Sequence, residues 1–156
     1  MKILALHTKD SYFKVTTTPR VERLLRKRFG FELPAVEGPN REMKSGRALV
    51  FLVCAEKGDE NLKPKRVVEE IKRSSELVGE KNVVLAAFAH LSVNPMGPKG
   101  AFEVIEGVVA ELKVTANLNV TVVPFGHDKG YSITGMGHHY NVAFLSLSPL
   151  VEGPNN

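Results

Sequence analysis

The sequence predicts an α/β (α+β mixed) domain, a mixed β-sheet carrying about three helices, on three observations. Two continuous apolar runs, ALVFLVCA (Ala48 to Ala55) and VVLAAFA (Val83 to Ala89), have the length and composition of strands buried on both faces. Stretches with apolar residues at helical spacing precede, separate and follow them. Three short strand-like pieces then end the chain. Alternation of strand and helix followed by a strand cluster is the pattern of a sheet packed against helices.

In chain order, Lys2 to Leu6 reads as a short strand. TTTP (Thr16 to Pro19) signals a helix start, with Thr18 as the N-cap and Pro19 in the first turn. Val21, Leu24 and Leu25 form its apolar stripe, and Gly30 is its stop. Its opposite face carries Arg20, Arg23, Arg26 and Lys27. Phe31 to Ser45, with ELPAVEGPN, reads as a turn-rich connection where motion is expected to concentrate. After the first buried run, Pro64 opens a helix through Gly79, with Val67, Val68, Ile71 and Val78 inward. A third helix is expected from about Gly97 to Lys113 on Phe102, Ile105, Val109 and Leu112. The closing strands are Asn119 to Val123, Tyr131 to Thr134 and Asn141 to Ser146. EGPN occurs twice, at Glu37 to Asn40 and Glu152 to Asn155, too short a match for a repeat. No linker divides the chain, so residues 1–156 are read as a single domain.

The bulk numbers bound the class. At 156 residues, 43% hydrophobic and 24% charged, the chain is an ordinary globular protein with enough length to bury a core. No apolar run approaches the roughly 20 residues that span a bilayer. MKILALH reaches His7 too early for a signal-peptide core. The single cysteine, Cys54, rules out an intrachain disulfide framework, and a cytoplasmic, membrane-free protein is the expectation. Residues 1–81 hold 18 Lys/Arg against 12 Asp/Glu, whereas residues 82–156 hold 3 against 5. A basic first half suits contact with a phosphate backbone, but a solvated lysine-rich surface produces the same count.

Polar chemistry concentrates in PFGHDKGYSITGMGHHYN (Pro124 to Asn141), which holds three of the five histidines. A metal site there would need His127, His138 and His139 to converge. Adjacent His138 and His139 point to opposite faces of a strand, and no HxH, HExxH or CxxC occurs, so no metal is assigned. GHDKG and GMG match no phosphate-loop spacing, and GxSxG is absent. Cys54 sits inside an apolar run with no cation to lower its pKa, as a buried structural cysteine does. His90, in FAH, follows a buried strand, at the edge where open α/β sheets bind ligands. Lys129 follows another strand, where few other cations occur; it reads as an anion or carbonyl partner, with a solvated turn lysine as the alternative.

FAHLS (Phe88 to Ser92), PFGHDK (Pro124 to Lys129), the KILALH strand, VCAEKGDE (Val53 to Glu60) and Gly137-His138, taken in order, resemble the N-terminal editing domain of archaeal threonyl-tRNA synthetases. The similarity covers nearly the whole chain and is weakest from about Phe13 to Met43. It implies the fold of the D-aminoacyl-tRNA deacylases, usually homodimeric, and removal of serine from tRNA(Thr). It implies no metal, no cofactor and no covalent nucleophile: the terminal ribose 2′-hydroxyl helps activate a positioned water. By motif, Lys129 and His90 would be the catalytic pair, Lys129 holding or polarising the aminoacyl ester and His90 lying at the pocket floor, with Asp128 among the substrate-binding residues. Backbone at Ala55, Ala89 and the Pro124-Phe125-Gly126 turn would bind the adenosine and the amino acid. The family pattern also allows a synthetase catalytic domain in cis or trans.

Two departures stand out. Asp128 replaces an aromatic residue beside the motif lysine, where it would hold Lys129 cationic. HHYN offers no acid where the family carries a carboxylate, so that contact is absent or supplied by Asn141. Competing readings are a D-aminoacyl-tRNA deacylase, a tRNA-binding module without catalysis, and a histidine–metal hydrolase.

Overall fold

The computed structural model describes residues 1–114 and 117–149, so the second EGPN stretch lies outside the described residues. Among the described residues seven strands occur: β1 (Lys2–Val15), β2 (Glu42–Ser45), β3 (Ala48–Cys54), β4 (Asn82–Ala87), β5 (Asn119–Val123), β6 (Lys129–Gly135) and β7 (Val142–Ser146). Three α-helices join them: α1 (Pro19–Phe29), α2 (Pro64–Val78) and α3 (Pro98–Val114). Among the described residues, no helix is long and apolar enough to cross a membrane.

β1 is the largest departure from the sequence reading, at 14 residues rather than five. Its polar second half, HTKDSYFKV, belongs to the sheet because it is paired on both edges. β2 and β3 follow one another down one edge, from Lys14↔Glu42 to Ser11↔Ser45 and from Thr8↔Ala48 to Lys2↔Cys54. β6 and β7 do the same on the other edge, from Val15↔Lys129 to Thr8↔Gly135 and from Leu6↔Val142 to Lys2↔Ser146. All four pairings are antiparallel, while β3–β4 and β4–β5 are parallel. The sheet is therefore mixed, as the sequence predicts, and α2 and α3 are its crossover connections.

A register shift between Thr8 and Asp10 marks where β1 is irregular. Bulges of this kind bend a strand and increase its twist. The core shows the consequence. Leu49, Phe51 and Val53 of β3 pack with Ile3 and Ala5 and with Ile71, Ile105 and Val109 of the helices. The alternate residues Val50 and Leu52 pack instead with Phe13, from beyond the bulge, and with Val84, Ala86 and Val123. β1 thus contributes to the core on each face of the central strands.

Further details differ, among them β6, which runs from Lys129 to Gly135 rather than from Tyr131 to Thr134. The Phe31–Ser45 connection contains a 3-10 turn (Gly38–Arg41) and β2, whose four residues are too few for periodicity to reveal. Thr18 occupies the N-cap position of α1, but its side chain makes no capping bond; its carbonyl accepts from Val21 and Glu22 instead. β4 ends at Ala87, two residues before the expected stop. Phe88 leaves the strand at φ −146° and ψ 86°, and Ala89–Leu91 form a 3-10 turn.

His7 lies opposite the break between β6 and β7. Its backbone N–H donates to Asn141 O at 2.8 Å, and its carbonyl accepts from Met136 N at 3.0 Å. Its Nδ1 lies 2.7 Å from His138 Nε2, and its Nε2 is buried with no hydrogen-bond partner among the described residues. Glu80, paired with Arg47 at 3.1 Å, stands 3.9 Å from that nitrogen, too far for a hydrogen bond. Burial pushes the His7 pKa below 6.5, and the nearby His138 and Arg47 add to the effect; Glu80 opposes it. Because the unfolded chain protonates His7 more readily, stability rises with pH through this window and falls as pH drops below about 6.5. Urea midpoints should therefore decrease from pH 7 to pH 5, and His7→Gln should flatten that slope. An unchanged slope would assign the proton uptake to another group.

Candidate active site

A cavity of about 520 Å³ opens at the carboxyl ends of β3, β4 and β5. The parallel strands stop there at Cys54, Ala87 and Val123, and their following residues form its walls. This is where open α/β sheets place ligands, because the strand-to-helix turns leave backbone groups uncommitted at that edge.

Of the residues singled out from sequence, Ala55, Ala89, His90, Phe125, Gly126, Asp128 and Lys129 all line this cavity. Pro124 is not among the lining residues. His90 is exposed and in edge contact with Phe88 at 6.0 Å, so it belongs to the mouth rather than the floor expected for it. The 3-10 turn after Phe88 is what turns it outward. The Ala55 carbonyl accepts from Met96 N at 2.9 Å, which ties the approach to α3 against the end of β3. Ser92 Oγ hydrogen-bonds Glu56 and holds that carboxyl below the usual range, joining FAHLS to VCAEKGDE.

Lys129 is the first residue of β6 and pairs with Val15, so its backbone is fixed by the sheet. Its Nζ reaches toward the Ala87 carbonyl at 3.5 Å, across the cavity's strand edge. Burial pushes its pKa below the ordinary 10.5, and the neighbouring Asp128 carboxylate pushes it back up. A desolvated cation without a close carboxylate partner interacts strongly with any carbonyl or oxyanion brought beside it.

The PFG turn is held from both sides. Phe125 packs against Phe31 and Phe102, with ring centroids 5.9 and 5.3 Å away. Gly126 has φ +75°, a backbone conformation that favours glycine, and a Cβ there would lie 2.6 Å from Leu33 Cδ2, so that side chain would have to shift. His127 is buried: its Nε2 lies 2.8 Å from the Pro34 carbonyl and its Nδ1 3.1 Å from Thr17 Oγ1. A carbonyl only accepts, so Nε2 carries a proton and donates to Pro34 O, while Nδ1 shares a hydrogen bond with the Thr17 hydroxyl. Thr17 Oγ1 accepts in turn from Asp128 N at 2.7 Å. His127 is thus a brace between the PFG turn and the connection after α1.

The three histidines of the motif are dispersed. His127 braces the turn, His138 pairs with His7, and His139 stacks beside Tyr140 at 3.9 Å. Among the described residues, no three His, Cys, Asp or Glu side chains converge as a metal-binding group. Asn141 and His138 lie at the β6–β7 break and are not among the cavity's lining residues, so Asn141 does not supply the missing acidic contact there. Cys54 is buried, its Sγ 3.4 Å from the Ala89 carbonyl, and burial pushes its thiol pKa up, as in an unreactive cysteine.

Sequence reasoning missed the wall that α1 and the segments flanking it build. Thr16, Leu25, Phe31 and Leu33 line the cavity, as do Phe88 and Tyr131. Phe31 is buried inside a segment read as turn-rich and mobile. An aromatic residue just past a helix stop was the available signal, since large apolar side chains in connections usually pack on something.

The family model described as the archaea-specific editing domain of threonyl-tRNA synthetase matches residues 1–146. Threonine--tRNA ligase of Methanobrevibacter smithii is 30% identical over 142 residues, covering 88% of this chain and 21% of that protein. The ligase of the same name from Nanoarchaeum equitans is 35% identical over 121 residues, covering 76% of this chain and 19% of that one. The chain therefore spans about a fifth of the length of these relatives. The solved structure of c-Myc DNA Unwinding Element Binding Protein superposes with a TM-score of 0.64 at 11% identity, over 94% of this chain and 99% of that one. That likeness speaks to the fold, which is the D-aminoacyl-tRNA deacylase-like one. With the family model spanning all seven strands and the cavity they build, the chain belongs to the archaea-specific editing domains of threonyl-tRNA synthetase.

Proposed function

We propose that this domain hydrolyses the ester linking L-serine to the 3′ end of tRNA(Thr). The observation that carries the reading is the cavity at the carboxyl edge of the sheet, with one desolvated lysine at its wall. Lys129 polarises the ester carbonyl and stabilises the oxyanion that forms when water attacks. The terminal 2′-hydroxyl assists in orienting and deprotonating that water, and the bond to the ribose 3′ oxygen breaks, with the proton passing to that oxygen. Serine and an uncharged tRNA leave. An aminoacyl ester is already activated, so a fixed cation and a positioned water supply much of what the reaction needs.

Backbone at Ala55, Ala89, Phe125 and Gly126 holds the amino acid and the adenosine, and His90 meets the substrate at the mouth. The RNA identity of the substrate follows from use of the 2′-hydroxyl. Threonine differs by one methyl group, worth only about 1–3 kcal/mol by contact, so tight walls must exclude it. The rigid aromatic packing of Phe31, Phe102 and Phe125 supports such a wall. The same reading makes the domain a cytoplasmic partner of a synthetase catalytic domain, in cis or in trans.

It also makes the domain a homodimer. Tyr140, Val142 and Phe144 are 53%, 54% and 58% exposed along the β6–β7 edge, and among the described residues nothing pairs with the outer edge of β7. An apolar open edge of this kind needs covering in solution. Light scattering should give twice the chain mass, and Phe144→Glu should convert it to a monomer; a monomeric wild type overturns the assignment.

The activity is tested with Ser-tRNA(Thr), Thr-tRNA(Thr) and a D-aminoacyl-tRNA, with and without chelator. Serine should be released selectively and independently of chelator. Hydrolysis of the D-ester alone would support the D-aminoacyl-tRNA reading, and chelator sensitivity would restore a metal mechanism. Lys129→Met should slow serine release by about 100-fold or more, the scale for losing one oxyanion-stabilising donor, without lowering thermal stability. The wild-type rate should fall on the alkaline side below pH 10.5, as the lysine loses its proton. Asp128→Asn removes the charge that raises the lysine pKa, so this alkaline limb should move to lower pH.

A further inference from the structure

The basic character of α1 is unaccounted for by the fold. Its 11 residues include Arg20, Arg23, Arg26, Lys27 and Arg28 against one acid, Glu22, and none of them is buried. Arg26, Lys27 and Arg28 lie in the last turn, where cations favour the helix dipole. Arg26 also pairs with Glu32 at 3.1 Å, and Arg28 lies 5.3 Å over the Phe29 ring. Arg20 sits at the opposite end, where a cation opposes the dipole and weakens the helix. Among the described residues, Arg20, Arg23 and Lys27 have no acid within salt-bridge distance. At i, i+3 and i+7 they share one stripe, about 10 Å long at 1.5 Å per residue. Helix stability accounts for Lys27 alone of the three, and packing for none of them, since no residue of α1 is buried.

The position of the stripe accounts for all three. Leu25, on the other side of α1, lines the cavity, and Phe31 and Leu33 continue the same wall. A cavity of about 520 Å³ accommodates a terminal nucleoside with its amino acid and no more of an RNA strand. Every preceding phosphate must therefore lie outside, on whatever surface rims the mouth. Phe88 and Tyr131, in edge contact at 5.9 Å within the cavity lining, offer a face for the terminal base. We propose that Arg20, Arg23 and Lys27 form a phosphate clamp that grips the RNA strand leaving the cavity over α1. This rests on the reading of the cavity as an aminoacyl-ester site, and it names the surface that holds the rest of that substrate. The apolar stripe of α1 is spent partly on the cavity wall through Leu25, which favours a nucleic-acid partner over insertion into a lipid surface.

The test uses the full chain and a fluorescent, uncharged RNA minihelix with the acceptor stem of tRNA(Thr) and its single-stranded 3′ end. Binding is measured by anisotropy from 50 to 200 mM KCl for wild type and for Arg20→Gln/Arg23→Gln/Lys27→Gln. A control, Lys72→Gln/Arg73→Gln/Lys81→Gln, removes equal charge from α2 and from the turn between α2 and β4. Removing three phosphate contacts should weaken binding about 10-fold at 0.1 M salt and reduce the slope of log K against log salt by about 2. The control should bind like wild type. Hydrolysis of a seryl ester of adenosine, too short to reach α1, should be equal in wild type and the α1 variant.

Unchanged binding and slope in the α1 variant would overturn the clamp, as would an equal loss in the α2 control. Co-sedimentation with phosphatidylserine vesicles that the α1 variant alone loses, with RNA binding intact, would assign the stripe to a membrane surface instead. If wild type cleaves no seryl ester yet the minihelix result holds, the clamp stands and the hydrolase reading falls.

Discussion

The double pairing of β1 is the constraint from which the rest of this structure follows. Fourteen residues of one strand are hydrogen-bonded to β2 and β3 on one side and to β6 and β7 on the other. A buried backbone must satisfy its N–H and C=O groups, and among the described residues no other strand pairs with four partners at once. The irregularity between Thr8 and Asp10 lets this strand serve the core on each face of the central sheet. The strand also pairs Val15 with Lys129, whose side chain reaches the Ala87 carbonyl where β4 stops. The lysine is therefore placed by a strand register rather than by a loop.

The environment of Lys129 combines burial with a single neighbouring carboxylate. Burial weakens its hold on its proton, while an exposed Asp128 partly restores that hold. Charge interactions in such a site are far stronger than in water, because little solvent competes for the lysine. The surrounding frame is correspondingly rigid. His127 has both ring nitrogens committed, to Pro34 and Thr17, and Gly126 allows the turn to press against Leu33. A displaced wall would let water compete for the lysine, so packing and electrostatics act together here.

Much of the fold was legible because it rests on local signals. The apolar runs at β3 and β4, the proline that opens α2 and the glycine stops at Gly30 and Gly79 all have short-range physical causes. The second half of β1 was not legible, since its polar residues are tolerated only by partners more than a hundred residues away. β2 was too short to show a period. In the site, the motif residues were legible by resemblance, whereas Phe31 and Leu33 were hidden in a segment of turn-like composition, and nothing local showed that Thr16 and Leu25, at and on the first helix, face the cavity. The histidines illustrate the same limit: adjacency argued against their joint ligation, but their real partners, His7, Thr17 and Pro34, lie far away in sequence.

The sequence by itself determined the class of the fold, the identity of the buried strands and the separation of a basic first half from a weakly acidic second half. Those properties depend on composition and on periods of two or 3.6 residues, which neighbours in the chain decide. Only the tertiary structure decided that Lys129 is desolvated, that His90 stands at the mouth and that His127 is a brace. Burial, register and the reach of a side chain depend on which distant segments meet. A linear pattern carries no measure of that meeting.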